Sequence, residues 1–376
     1  GGRNMAHKLS CLAVAICFAQ GMAYLSTPSS FFGAGVIGNQ RIHARRSTLG
    51  LKMSSATSKS IEERIAKTKN LIKYCESVNE AKRRPTRTVW CGPVPIGSDH
   101  PIALQTMTTS LTSDVQGSVD QVIRCADAGA QLVRLTVQGN REAEACMKIK
   151  EGCLKRGYTT PLVADMHFAP KVALMVADCF DKIRINPGNF ADGRKSFKEI
   201  NYDNPADYQA ELDYIEETFT PLVLKCKQLG RAMRIGTNHG SLSARTLSYF
   251  GDTTTGMVES AFEFARICRK HDYHNFLFSM KASNPLVMVQ AYRLLSAEMY
   301  AQGWDYPLHL GVTEAGEGED GRMKSAIGIG SLMQDGLGDT IRVSLTEDPW
   351  LELDPARKLK AIADHARSPA AAAAAA

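Results

Sequence analysis

Within Lys182-Ile-Arg-Ile-Asn186 the two isoleucines fall on one side of an extended chain, and Arg184 and Asn186 on the other, because side chains alternate along a strand. The same alternation sets Arg134 and Thr136 against Val133 and Leu135, and Arg234, Gly236 and Asn238 against Met233 and Ile235. Arg342 and Ser344 oppose Ile341 and Val343, Asp165 shares a face with His167, and Lys281 with Ser283. If the apolar faces pack on helices, the polar faces all look inward. Four arginines and a lysine then converge: Arg134, Arg184, Arg234, Arg342 and Lys281. A lone strand arginine is ordinarily half of a structural ion pair. Five desolvated cations on five strands repel one another unless an anion neutralises them. Guanidinium forks fit phosphate oxygens, and so many imply more than one phosphoryl group.

Asp165, Asn186, Asn238 and Thr313 suit the hydroxyls of a polyol phosphate, or alternatively the capping of a neighbouring loop or helix. Gly316, Gly318 and Gly321 precede a helical pattern and suit the usual phosphate position of a barrel, or a plain flexible connector. His167, His239 and His309 also stand at strand ends and, with Asp165 and Glu314, offer a rival reading as a metal site. The surrounding cations oppose it.

The elements that must position these groups alternate. Strands are expected at Ile102–Met107, Leu132–Val137, Leu162–His167, Lys182–Asn186, Ala232–Asn238, Phe276–Ser283, Leu308–Thr313 and Thr340–Leu345. Amphipathic helices are expected at Ser118–Ala130 with Ser118 as its cap, Tyr208–Gln228 broken near Pro221, Glu259–Arg269, Leu286–Ala301 and Met323–Gln334. A last helix, Ala356–Ala366, has Asp354 as cap and Pro355 at its first position. No G-x-G-x-x-G follows the first strand, so a (β/α)8 TIM barrel is expected in preference to an open doubly wound sheet. Ile61–Val78 reads as an extra helix and Thr88–Ile96 as a hairpin closing the barrel bottom.

Residues 1–61 hold seven basic side chains and no Asp or Glu, which leaves 38 basic against 39 acidic residues from Glu62 onward. The overall charge of +6 therefore belongs to the N-terminal segment, and no nucleic-acid footprint remains in the rest. A basic start, an apolar run from Leu9 to Ala19 too short to span a membrane, and an acid-free Arg/Ser/Ala stretch read as a signal peptide followed by a transit peptide. The expected organisation is a disordered leader over residues 1–60, a barrel over 61–367 and an alanine-rich tail over 368–376. The ten cysteines form no C-x-x-C pair, which suits small buried hydrophobes in a reducing compartment and gives this chain no evident metal ligand set.

The runs Gln105-Thr-Met-Thr108, Val133-Arg-Leu-Thr136, Leu162-Val-Ala-Asp-Met-His-Phe168, Arg184-Ile-Asn-Pro-Gly-Asn189, Arg234-Ile-Gly-Thr-Asn-His-Gly-Ser-Leu242, Lys281-Ala-Ser283, His309-Leu-Gly-Val-Thr-Glu-Ala-Gly316, Lys324-Ser-Ala-Ile-Gly328 and Gly338-Asp-Thr-Ile-Arg-Val-Ser-Leu345 resemble the 4-hydroxy-3-methylbut-2-enyl diphosphate synthase family. The resemblance implies a plastid enzyme of non-mevalonate isoprenoid synthesis that reductively opens 2-C-methyl-D-erythritol 2,4-cyclodiphosphate. It further implies electrons from ferredoxin or flavodoxin, passed through a [4Fe-4S] cluster. Arg134, Arg184, Arg234, Lys281, Arg342 and Ser344 would hold the diphosphate, with Asp165, Asn186, Asn238 and Glu314 as the catalytic set. The family's cluster ligands, three cysteines and a glutamate, are expected in a separate C-terminal domain beyond this chain. Other readings stay open: a barrel that binds diphosphate or a partner chain without catalysis, a metal-dependent barrel enzyme, and a homodimer.

Overall fold

The computed structural model describes residues 73–166, 170–191 and 205–367, without the side chains of residues 205 and 206. The expected leader, most of the expected Ile61–Val78 helix, Cys11, Cys17, His167 and the alanine tail lie outside these residues. In chain order the elements are β1 (Val89–Cys91), β2 (Val94–Ile96), β3 (Ala103–Met107), α1 (Val115–Asp127), β4 (Leu132–Val137), α2 (Asn140–Lys155) and β5 (Leu162–Met166). Then come α3 (Pro170–Ala177), β6 (Lys182–Ile185), α4 (Pro205–Leu229), β7 (Ala232–Asn238), α5 (Ala244–Phe250), α6 (Thr254–Lys270) and β8 (Phe276–Lys281). The last are α7 (Pro285–Gln302), β9 (His309–Leu310), α8 (Gly318–Gln334), β10 (Thr340–Ile341) and α9 (Leu353–Ala366), with 3-10 turns at His239–Ser241 and Pro349–Glu352.

Strands β3 to β10 form one parallel eight-stranded sheet in the order β8-β7-β6-β5-β4-β3-β10-β9. A parallel bridge between Phe278 and Leu308 joins its two ends, so the sheet closes into the expected (β/α)8 barrel. Outward residues such as Val133, Leu135, Ile183, Ile185, Met233 and Ile235 pack with the helices in the large core. The antiparallel β1–β2 hairpin supplies Val89, Cys91 and Ile96 to a second apolar cluster with Ala103, Leu132, Val163, Ala232 and Leu277. That cluster seals the amino-terminal end of the barrel, as expected of the hairpin.

Several boundaries differ from the sequence reading, each for a local reason. Helix α1 begins at Val115, because the Asp114 carboxylate accepts from Gly117 N (3.0 Å) and caps it; Ser118 is instead buried inside, donating to Leu111 O (3.1 Å). Helix α4 runs unbroken through Pro221, whose lost hydrogen bond falls beside exposed Glu217 while Phe219, Leu222 and Val223 stay anchored in the core. Asp354 lies inside α9 and pairs with Lys358 (2.7 Å) without capping it. The ladders of β9 and β10 are two residues each, shorter than expected, and Lys73–Val78 is not helical. Helices α2, α3 and α5 are additional to the expected set; α2 is charged, with only Ala143, Ala145, Cys146, Ile149 and Cys153 buried. Among the described residues no helix is long and apolar enough to cross a membrane.

Buried Asp339 ties the segment before β1 to the barrel: it accepts from Arg83 Nη2 (2.8 Å), Thr86 Oγ1 (3.1 Å) and Leu308 N (2.9 Å). Asp339→Ala removes the carboxylate and strands three donors. The expected cost is about 3–5 kcal/mol in urea unfolding; a loss below about 1 kcal/mol, the scale of a surface pair, contradicts this role.

Candidate anion-binding site

The inward positions of five strands deliver the expected cations to one place. Arg134, Arg184, Arg234, Lys281 and Arg342 are all buried, at 0–8% exposure. Arg184 Nη1 donates to Asp165 Oδ1 (2.8 Å), and Arg134 Nη2 lies 3.6 Å from Asp165 Oδ2. Arg342 forms a two-pronged pair with Glu352, through Nε (2.9 Å) and Nη2 (2.8 Å). Arg234 donates to Ser279 Oγ (2.6 Å) and, like Lys281, has no ion pair among the described residues. Among the described residues, two carboxylates thus face five cations.

The electrostatics follow from that imbalance. Burial first, and then Arg134, Arg234, Arg342 and Arg184, hold Lys281 well below the ordinary lysine range. Burial pushes Arg234 well down too, helped by Arg134 and Arg184. Arg134 falls to about 10 through burial, which Asp165 opposes and Arg342 and Arg184 reinforce. Each of these guanidinium and ammonium groups feels the others. The cluster is a site of positive potential, desolvated and under-compensated, and an anion is what relieves it.

Two strand glycines make room for this cluster. A Cβ on Gly236 would sit 2.6 Å from Arg184 Nε, and one on Gly311 would sit 2.8 Å from Lys281 Nζ. The Met107 sulfur lies 2.7 Å from Arg134 Nη2 and 3.4 Å from Arg342 Nη1, a neutral acceptor between two guanidiniums. Glu352 and Met107 hold the arginines in place, and the strand pattern alone does not name them. Glu352 also accepts from Thr106 Oγ1 (2.7 Å) and Leu345 N (3.2 Å), so the start of α9 is pinned to the cluster.

The remaining expected site residues divide. Asp165 is engaged with Arg184 and Arg134, where it orients cations. Asn186 Nδ2 donates to Ser241 Oγ (2.9 Å) and its Oδ1 accepts from Gly188 N (3.3 Å), clipping the loop after β6 to the one after β7. Asn238, at the end of β7, and Ser344, three residues past β10, are half-buried, and Thr313 has a buried hydroxyl with no partner among the described residues. Glu314 is exposed at the rim on a left-handed backbone (φ 52°). The glycine-rich helix start expected to take phosphate already has an anion: Glu347 accepts from Gly318 N (3.0 Å) and from both Arg322 Nη groups (2.6 and 2.7 Å). Of the three histidines, His167 lies outside the described residues. His239 pairs with Asp252 (2.9 Å), while His309 is buried among cations that add to burial in pushing its pKa well down. Among the described residues no three His, Cys, Asp or Glu side chains come together to hold a metal ion.

Comparison with known proteins matches residues 86–357 to the GcpE TIM-barrel domain. The chloroplastic, ferredoxin-type 4-hydroxy-3-methylbut-2-en-1-yl diphosphate synthase of Oryza sativa subsp. japonica is 69% identical over 294 residues, covering 78% of this chain and 39% of that one. The corresponding Arabidopsis thaliana protein is 70% identical over 287 residues, covering 76% and 39%. The flavodoxin-type protein of Protochlamydia amoebophila is 67% identical over 287 residues, covering 76% and 44%. The chain therefore spans about two-fifths of the length of these relatives.

Gly236→Ala tests whether the placement of Arg184 matters for anion binding. The new methyl displaces the guanidinium, so pyrophosphate affinity measured by calorimetry should fall about tenfold, the worth of one charge-assisted contact. An unchanged affinity in a variant with wild-type urea unfolding contradicts it.

Proposed function

The chain belongs to the GcpE TIM-barrel family, and from that premise we propose that its barrel binds 2-C-methyl-D-erythritol 2,4-cyclodiphosphate for reduction to 4-hydroxy-3-methylbut-2-enyl diphosphate. The observation that carries this reading is the burial of five cations against two carboxylates at the strand ends. Two phosphoryl groups would supply the missing negative charge. Arg134, Arg184, Arg234, Lys281, Arg342 and Ser344 form the clamp in this proposal, and Asp165 fixes the guanidiniums of Arg184 and Arg134. Asn238 and Thr313 face the polyol part, Asn186 holds the rim, and Glu314 at that rim is the candidate proton donor. Two electrons and two protons open the ring and release one hydroxyl as water.

The family's [4Fe-4S] cluster would supply the electrons, taken from ferredoxin or flavodoxin. The described residues do not fit such a cluster. All eight described cysteines are buried and unbonded, and burial pushes thiols such as Cys91 and Cys125 up to about 12, away from the thiolate a ligand must be. The proposal therefore places the cluster ligands outside these residues and assigns the barrel to substrate capture and orientation. The plant relatives are named chloroplastic, which supports a plastid setting here, with residues 5–60 as a two-part leader to a complex plastid.

Calorimetry with the cyclodiphosphate tests the clamp. Arg184→Ala and Arg234→Ala should each weaken binding by roughly 10- to 150-fold, from about 1.5–3 kcal/mol per charged contact. Unchanged affinity in both variants removes the diphosphate reading.

A further inference from the structure

Beneath the clamp lies a second polar set that has only Arg234 in common with it. Gln105, Lys182, Arg234, His309 and Thr340 all show 0% exposure. They share the inward parity of the clamp residues, two positions nearer the barrel floor than Met107, Arg184, Gly236, Gly311 and Arg342 respectively. Lys182 Nζ donates to Gln105 Oε1 (3.1 Å), and Thr340 is register-paired with His309 across β10 and β9. Gln105 Nε2, Arg234 Nε and Nη2, both His309 ring nitrogens and Thr340 Oγ1 are buried with no hydrogen-bond partner among the described residues. Below them lies the apolar floor of Ala103, Leu132, Val163, Ala232, Leu277 and the hairpin.

This set is rich in donors and poor in acceptors. It contains two buried cations and no carboxylate; the one amide oxygen already serves Lys182, and the acceptors that remain are one ring nitrogen of neutral His309 and the Thr340 hydroxyl. Fully buried donors left unmatched are rare, because each forfeits its bond to water. Water alone would satisfy some of them but would leave the charge. A barrel interior is filled by side chains, so the occupant must be about the size of a single atom.

We propose that the barrel holds a halide-sized inorganic anion, chloride in practice, between Lys182, Gln105, Arg234, His309 and Thr340, below the diphosphate cavity and separate from it. Arg234 is shared: its Nη1 is fixed on Ser279 (2.6 Å), leaving its other nitrogens for the two anions. A resident anion gives Lys182 its counter-charge and lets Arg234 stay charged under the clamp. The site does not depend on the identity of the phosphorylated ligand above.

Crystals of the full chain grown in sodium bromide, measured at the bromine absorption edge, give the direct test. The expected result is an anomalous peak ringed by Lys182, Gln105, His309 and Thr340 that persists when cyclodiphosphate or pyrophosphate is added. Water at that position, bromide only among the upper cations, or a peak displaced by diphosphate overturns the proposal; the last outcome leaves the proposed function standing. In solution, chloride should raise the Tm of the chain by about 2 °C or more over gluconate at equal ionic strength, and Lys182→Met should abolish the difference. A wild-type Tm that ignores the choice of anion overturns it as well, and the bromide map decides even where the variant does not fold.

Discussion

Like charges forced together out of water set the terms for this barrel. Arg134, Arg184, Arg234, Lys281 and Arg342 arrive on separate strands, and among the described residues Asp165 and Glu352 are the carboxylates paired with them. Such a cluster contributes nothing to folding; the apolar layers must hold it together against its own repulsion. Those layers are complete on both sides. Helices cover the outer face of the sheet, and the β1–β2 hairpin seals the floor with Val89, Cys91 and Ile96. Stability and binding are thus assigned to opposite faces of the same strands.

The supports around the cations show how the positions are kept. Gly236 and Gly311 omit the side chains that would strike Arg184 and Lys281. Asp165 and Glu352 hold guanidiniums at fixed angles, and the Asn186–Ser241 bond locks two rim loops together. The cation set is therefore built in advance, so an anion entering it would meet oriented donors and lose little to their ordering. Asp339, at the other end of the strands, holds the N-terminal segment against the barrel without touching this chemistry.

Strand parity was legible because its period is two and one face of every strand had to be apolar. That rule alone placed all five cations inward, and the same period puts Lys182 on that inner face, although it was not singled out for binding anions. Helix α2 was hard to read because alanines and cysteines, scattered among charges, line its buried side. The capping choice between Asp114 and Ser118 depended on Gly117, whose missing Cβ leaves space for the Asp114 carboxylate. Ion-pair partners were least legible. Glu352 reaches back ten positions to Arg342, and Glu347 fills the helix start that glycine spacing had suggested for phosphate. No local pattern encodes such contacts, since they arise only when loops from different strands meet.

The ionisation of Lys281 reports the central claim most directly. Heteronuclear NMR of its ε-carbon, assigned with Lys281→Arg, follows that one ammonium through a pH titration in the free and cyclodiphosphate-saturated protein. Four neighbouring arginines and burial should hold the free-state pKa well below that of an ordinary lysine, and bound diphosphate should raise it sharply. An ordinary pKa in the free protein, or one that diphosphate leaves unmoved, would contradict the account of a cation cluster waiting for an anion.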